Sequence, residues 1–463
     1  MKKYRSQITA SPELSRRDHR SQLVEKAVSL AVIIVISLLP SPSSATEDVN
    51  KVTVIQNVRV FDGNQVIPQS TVLFRSGGVL DVNEGATIPE GAEVIDGEGK
   101  TLLPGLIDAH VHVWEEAQLR QFLVFGVTSV IDMGMDVAIM QRIKDLPLTV
   151  DCNDMATLVS AGTPVTAPGG HGTQFLPTMP TLSRPEEAQS FVDDRVAEGS
   201  DFIKVMVDDF SVYTTTPYRL PTLNKETLSA VFTAAHRDDR LAVVHIAKQQ
   251  EARWVIEAGA DGLAHLFSND VFDPNFGTVL AQPTSFVIPT LSILESMSGA
   301  SQAHSLLTDP YLSPYLKQQD INSLCFQFPV TTSVAGYQAA ETAIQQLMDA
   351  NVPILAGTDA ANPGTAHGVS LHRELVLLVQ AGLTPIEALT AATLNPAVTF
   401  DLHNRGQIKP GFHADLLLVN GNPTENIQAT RDIVGVWKNG VRVDRESYRE
   451  RIAAEQEGRG GRR

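Results

Sequence analysis

Two histidines, His110 and His112, stand one residue apart in the run LIDAHVHV. In an extended strand, residues i and i+2 project to the same face, so both imidazoles point one way. Four more residues interrupt apolar, strand-like runs in the same manner: Lys204 in DFIKVMV, His245 in AVVHIA, His265 in GLAHLF, and Asp359 after ILAGT. Lys and Asp are seldom buried without a partner, so each marks a place where something other than packing is required. One core His beside one hydrogen-bonded His is the ordinary explanation of an isolated H-x-H; six such positions together favour a metal site. Four imidazoles and a carboxylate suit zinc or a similar divalent transition ion, not calcium. Lys204 is the odd member, because an ammonium beside divalent cations is repelled. Reaction with CO2 would turn the amine into a carbamate whose two anionic oxygens could bridge a pair of ions about 3.5–4 Å apart. A salt bridge from Lys204 to Asp208 or Asp209 is the alternative.

The elements that must position these residues follow a βα rhythm. Strands are expected at 106–113, 128–133, 148–158, 201–207, 242–246, 262–267, 285–291 and 352–357, with helices at 185–198, 225–237 and 335–351 and another opening at Thr384-Pro385. Eight strands alternating with helices over 105–399 fit an α/β fold, a (β/α)8 TIM barrel, whose sites gather at the C-terminal strand ends. Short strands at 51–103 and again at 414–443 predict a small composite β-sandwich domain built from both chain ends, with boundaries at 46–104 and 400–446. Residues 447–463 read as a flexible charged tail, and 293–333 as either a lid or a surface insertion.

The N-terminus has its own logic. Seven basic residues within 1–26 precede the apolar run AVSLAVIIVISLL (27–39) and the breaker PSPSSA, with Ser43 and Ala45 at the −3 and −1 positions of a cleavage site. A thirteen-residue run, eleven of its residues apolar, suits a signal peptide and falls short of the roughly 20 that span a bilayer. Residues 1–45 are therefore expected to be a cleaved leader on a secreted or extracytoplasmic protein without a stable membrane anchor; a buried helix or an uncleaved anchor are the alternatives.

Composition excludes other classes. The 463 residues carry 36 Lys and Arg against 53 Asp and Glu, a net charge of −17, which argues against nucleic acid as a partner. Two cysteines, Cys152 and Cys325, cannot build a disulfide framework, and no G-x-S-x-G elbow announces a serine nucleophile. The expected partner is a small-molecule substrate, with a homo-oligomer possible.

Taken as a set, LPGLIDAHVH (103–112), GVTSVIDMG (126–134), FIKVM, VVHIA, LAHL, AGTDA, AGLTPIEALTAATLNPA (381–397) and GQIKPGFHADLLLVNGNP (406–423) resemble the metal-dependent amidohydrolase superfamily. The resemblance implies two metal ions in the barrel mouth. His110, His112 and Asp359 would hold the buried ion and His245 and His265 the more exposed one, with carboxylated Lys204 bridging. Asp359 would also take the proton of the attacking water. The Lys of IKVM together with Gly-Gly-His-Gly at 169–172 is most similar to the prolidase-like and ochratoxinase-like group, which implies hydrolysis of an amide bond of N-acyl amino acid or dipeptide type by a metal-bridged hydroxide. His171 would then face the substrate carbonyl or carboxylate; a loop His bonded to its own turn is the alternative. Where that group tends to carry Tyr or His two residues after the fifth-strand His, this chain has Ala247, so Tyr213, Tyr218 or Arg219 would have to meet a substrate carboxylate. Asp132, His367 and His372 are candidates to orient the ligands; a helix cap for Asp132 and solvent-facing rings for the two His are the alternatives. Rival readings are an esterase, lactonase or phosphotriesterase using the same ions, and a non-catalytic protein on a decayed barrel.

Overall fold

The computed structural model describes residues 51–146, 153–176, 178–213, 217–267, 273–326 and 334–460. The expected leader at 1–45 and part of the expected strand at 148–158 lie outside them. No helix of the described residues is long and apolar enough to cross a membrane.

Five strands open the chain: β1 (Thr53–Phe61), β2 (Val66–Arg75), β3 (Gly78–Val82), β4 (Glu93–Asp96) and β5 (Lys100–Pro104). Seven parallel ones follow: β6 (Leu106–Val111), β7 (Val127–Asp132), β8 (Thr157–Ser160), β9 (Ile203–Met206), β10 (Ala242–His245), β11 (Gly262–Ala264) and β12 (Phe286–Ile288). The last three, β13 (Leu416–Asn420), β14 (Ile433–Lys438) and β15 (Val441–Arg442), return to the first group. One sheet runs β15-β14-β13-β5-β1-β2-β3, with β4 also on β1. Both chain ends thus share it, but the expected sandwich is one continuous sheet. Four strand spacings of about 4.8 Å would part β2 from β14 in a flat sheet, yet the Phe74 and Trp437 rings touch with centroids 5.5 Å apart. The sheet is rolled around one core that includes Val58, Val72, Phe74, Leu102, Leu418 and Trp437.

The middle strands form two parallel groups, β6-β7-β8 and β9-β10-β11-β12. Every residue of β6 and β7 is buried, the pattern of strands covered on both faces. A parallel bridge from Val165 to Val205 links the groups after β8. No regular strand forms at 352–357. Ile354 bridges Val287 and Ala360 bridges Val111, while Ala109 N donates to Ala356 O (2.8 Å) and His112 N to Ala360 O (2.7 Å). Gly357 permits this approach: a Cβ there would stand 2.8 Å from His110 Cβ and 2.5 Å from Ile288 Cγ2.

Helices pack outside in the expected places with identifiable starts. Asn224 caps Lys225–Arg237 through Thr227 N (2.8 Å), and Thr384 forms a capping box with Glu387 before Pro385–Ala391. The expected flexible tail is instead a helix, Arg445–Gly460. Its charge hid two apolar residues one turn apart, Tyr448 and Ile452, which are buried with Leu312, Leu316 and Leu324 of the 293–333 stretch. That stretch therefore has two jobs: its start, in the helix Leu291–Met297, lines a cavity, and Leu312, Leu316 and Leu324 further along seat the C-terminal helix.

Candidate active site

The six residues singled out above, together with His171 and Tyr213, line one cavity at the C-terminal ends of the parallel strands. His245 ends β10, and His112 and His265 directly follow β6 and β11. Lys204 starts lower. In the register of β9 on β10 it lies beside Val243, while Met206 lies beside His245, a drop of about 6.6 Å at 3.3 Å per residue. Its four-carbon stem spans that drop, bringing the amine to the cavity.

Two groups of ligand-type atoms converge there, each within 4.8 Å: His110, His112 and Asp359; and His171, Asp208 and His245. Asp359 Oδ1 faces His110 Nε2 at 3.3 Å and His112 Nε2 at 3.2 Å. Asp208 Oδ2 faces His171 Nδ1 at 3.3 Å and His245 Nε2 at 3.6 Å. These approaches are close without being well-formed hydrogen bonds. His110 Nδ1, His171 Nδ1, His245 Nε2, Lys204 Nζ, Asp208 Oδ2 and Asp359 Oδ1 are all buried and lack a hydrogen-bond partner. Buried polar atoms are satisfied as a rule, so six orphans in one place call for a further group. Convergent nitrogen lone pairs and carboxylate oxygens are the donor set of a divalent transition ion. The residues present fit it.

Electrostatics agree. Burial pulls the imidazoles of His110 to about 3 and His245 to about 4, and that of His265 well below its ordinary value. At neutral pH they are neutral, the state that offers a lone pair to a cation. Burial lowers Lys204 to about 7. Against the upward push of burial, His110 and His112 hold the Asp359 carboxyl well below the carboxylate range, and His171 and His245 do the same for Asp208.

The surrounding contacts aim these groups. His112 Nδ1 donates to Gly134 O (3.0 Å), which leaves its Nε2 lone pair toward Asp359. Asp132 is not a helix cap: it accepts from Val113 N (2.9 Å), Gly134 N (3.2 Å) and Ser160 Oγ (2.7 Å), fixing the backbone around that carbonyl. His367 is buried and donates from Nε2 to His112 O (2.9 Å). His372 is buried too, but bonds Thr430 and Phe125 and touches none of these ligands. His265 Nδ1 meets Thr290 Oγ1 at 2.7 Å. Among the described residues, the three with left-handed φ that are neither Gly, Asn nor Asp are Phe210, His265 and Thr290. All three stand at the cavity or directly behind it, as strained backbone at functional sites does.

The second group differs from the expected pairing of His245 with His265. The His265 ring lies between those of His110 (4.6 Å) and His245 (4.4 Å), whereas His245 shares Asp208 with His171. Asp208 was missed as a member of a ligand-type cluster; its signal was a carboxylate two residues past the end of β9, in the pair Asp208-Asp209. Neither of these meets Lys204, because Asp209 is held by Lys248 (2.7 Å). Tyr213 lines the cavity. Tyr218 is 61% exposed, Arg219 donates to Tyr218 O (2.7 Å), and neither is among the lining residues.

Comparison with known proteins gives the family. An imidazolonepropionase from Geobacillus kaustophilus is 26% identical over 381 residues, 71% of this chain and 77% of that protein. An ochratoxinase from Aspergillus niger is 24% identical over 260 residues, 55% of this chain and 48% of that protein. A Xaa-Pro dipeptidase crystallised with methionine in its active site shares the fold at a TM-score of 0.67, with 21% identity over 85% of this chain and 99% of that one. The sequence profile of the Amidohydrolase family matches residues 101–443. A match over that span, from β5 to the end of the rolled sheet and across the whole cavity, makes the chain a member of the amidohydrolase family.

Proposed function

We propose that the chain is a metal-dependent hydrolase that cleaves an amide C–N bond of a small molecule, working in the mouth of a closed (β/α)8 barrel. The observation that carries this reading is the set of six buried ligand-type atoms without a hydrogen-bond partner, five of them on residues that line one cavity and the sixth on Asp208 beside it. His110, His112 and Asp359 would hold one cation, and His245, Asp208 and His171 are the nearest donors for a second, with Lys204 between the groups as a carbamate. Its amine nitrogen adds to the carbon of CO2 and releases one proton, leaving an anionic oxygen pair. When bound, divalent cations acidify water toward a pKa of about 7 and draw electron density from a carbonyl, with zinc the fitting ion. The protein does the rest. Asp359 accepts the proton of the attacking water and returns it to the leaving nitrogen; Gly134 O and Thr290 hold His112 and His265 in their tautomers; the apolar walls exclude bulk water. The N-terminal segment supports export and cleavage near Ala45.

The test is a panel of amides, aryl esters and lactones assayed before and after chelation. Amide turnover that chelation abolishes and added zinc, manganese or cobalt restores is expected. Faster turnover of every ester than of any amide, or activity indifferent to chelation, would overturn the reading.

A further inference from the structure

The chemistry of the cavity walls selects a class of substrate. The lining includes two apolar groups: Phe175, Leu176 and Phe210, from the loops after β8 and β9, and Ile293, Leu294 and Met297, from the helix Leu291–Met297. Among the described lining residues Lys204 is the single Lys or Arg, and it belongs to the ligand cluster. Tyr213 contributes a neutral hydroxyl. The nearby cation Lys248 is bound to Asp209 and Glu251. The internal stretches 147–152, 177, 214–216, 268–272 and 327–333, which lie outside the described residues, contain no Lys, Arg or His. Ala247 likewise offers no polar atom beyond its backbone two residues past the end of β10.

An ionised carboxylate moved from water to an apolar wall without a partner is strongly disfavoured. In this cavity its best seat would be the ligand cluster itself, where it would compete with the scissile carbonyl. We infer that the enzyme takes neutral amides with bulky apolar or aromatic groups, and discriminates against substrates that bear a free carboxylate. This rests on the amide-hydrolase reading, and it departs from the N-acyl amino acid or dipeptide class that the sequence resemblance implied. Recognition is then a matter of shape and apolar contact with both groups, with the carbonyl as the one polar handle.

A matched pair decides it: N-(4-phenylbutanoyl)-phenylalaninamide and N-(4-phenylbutanoyl)-phenylalanine, equal in size and different in charge. The metal-loaded enzyme should show kcat/KM about 100-fold higher for the neutral member, the factor an unpaired buried polar group costs. Calorimetric binding of the two non-hydrolysable ketone isosteres should show the same order, and reads the inference even if neither amide is turned over. Leu294→Arg, which places a cation on the wall, should shift the ratio toward the acid by 10-fold or more, about the worth of one charge-assisted contact. Arg219→Ala should leave the ratio unchanged. Equal or better binding of the acid, or its loss in Arg219→Ala, would overturn the inference. No turnover of either amide with the binding order intact would instead fault the amide reading alone.

Discussion

His171 Nδ1 and Asp208 Oδ2, from loops that follow different strands, meet 3.3 Å apart, with His171 on the cavity lining and Asp208 fully buried beside it. The contact makes the loop histidine part of the ligand-type cluster and not only a substrate-facing group. His245 shares the same carboxylate oxygen at 3.6 Å.

Replacing that carboxylate should separate the two proposed ion sites. Asp208→Asn keeps the shape of the side chain and removes its charge, so metal affinity at the His171–His245 end should fall about 10–100-fold. Metal analysis after dialysis should find the first ion retained and the second depleted. Two ions retained with unchanged affinity would contradict the assignment.

Lys204→Ala tests the carbamate. The variant should lose nearly all activity, since it removes the anion between the two groups of ligands. Formate or acetate at millimolar concentration should restore part of it by supplying small carboxylates in the same space. The wild-type protein, loaded with metal, should gain activity when bicarbonate is present. Full activity of Lys204→Ala without added acid would refute the modification.

Away from the site, Asp415 is the charged pivot of the rolled sheet. It is buried, accepting from Lys438 Nζ (2.6 Å), Arg405 Nε (3.1 Å) and Asn439 N (2.7 Å). Against the upward push of burial, Lys438 and Arg405 hold its carboxyl below the ordinary 3.8. Burial also pulls the Lys438 ammonium down, so the pair is expensive to desolvate and damaging to break. A depressed carboxyl contributes its stability above the unfolded pKa and loses it as pH falls through the folded one. Urea midpoints should therefore drop below about pH 4 in the wild type. Asp415→Asn should lose about 3–5 kcal/mol at pH 7 by stranding Lys438 and show a flatter dependence in that acid range. A loss below about 1 kcal/mol, the scale of an exposed pair, would refute the pivot.

Export has a direct check. N-terminal sequencing of protein recovered from outside the cytoplasm should begin near Thr46. Mature material that begins at Met1, or keeps the apolar run at 27–39, would refute cleavage.

Much of the site was legible because titratable residues inside buried strands are conspicuous: His110, Lys204 and His245 each break an apolar run. Asp208 was not, since a carboxylate in an acidic loop pair looks like any solvated turn until the loop carrying His171 closes over it. Lys204 sits two residues low in β9, and only the length of its stem, invisible to strand periodicity, brings the amine up. In the fold, the parallel strands were readable from their apolar runs. The bridges at Ile354 and Ala360 replace the expected last strand because Gly357 lets the backbone pass against His110 without a regular ladder. The C-terminal helix escaped notice because two buried side chains, Tyr448 and Ile452, are a faint signal among so many charges.

The rolled sheet also sets a timetable for the nascent chain. Thr101 Oγ1 donates to Gly421 O across 320 positions, and β13 covers β5 along its whole length. At a synthesis rate of about 5–20 residues per second, β5 waits roughly 16–64 seconds after leaving the ribosome before its neighbour exists. Throughout that interval its edge presents unpaired backbone groups and the apolar Leu102 and Leu103, a template for wrong pairing. A C-terminal truncation that removes β13 leaves that edge open for the life of the molecule.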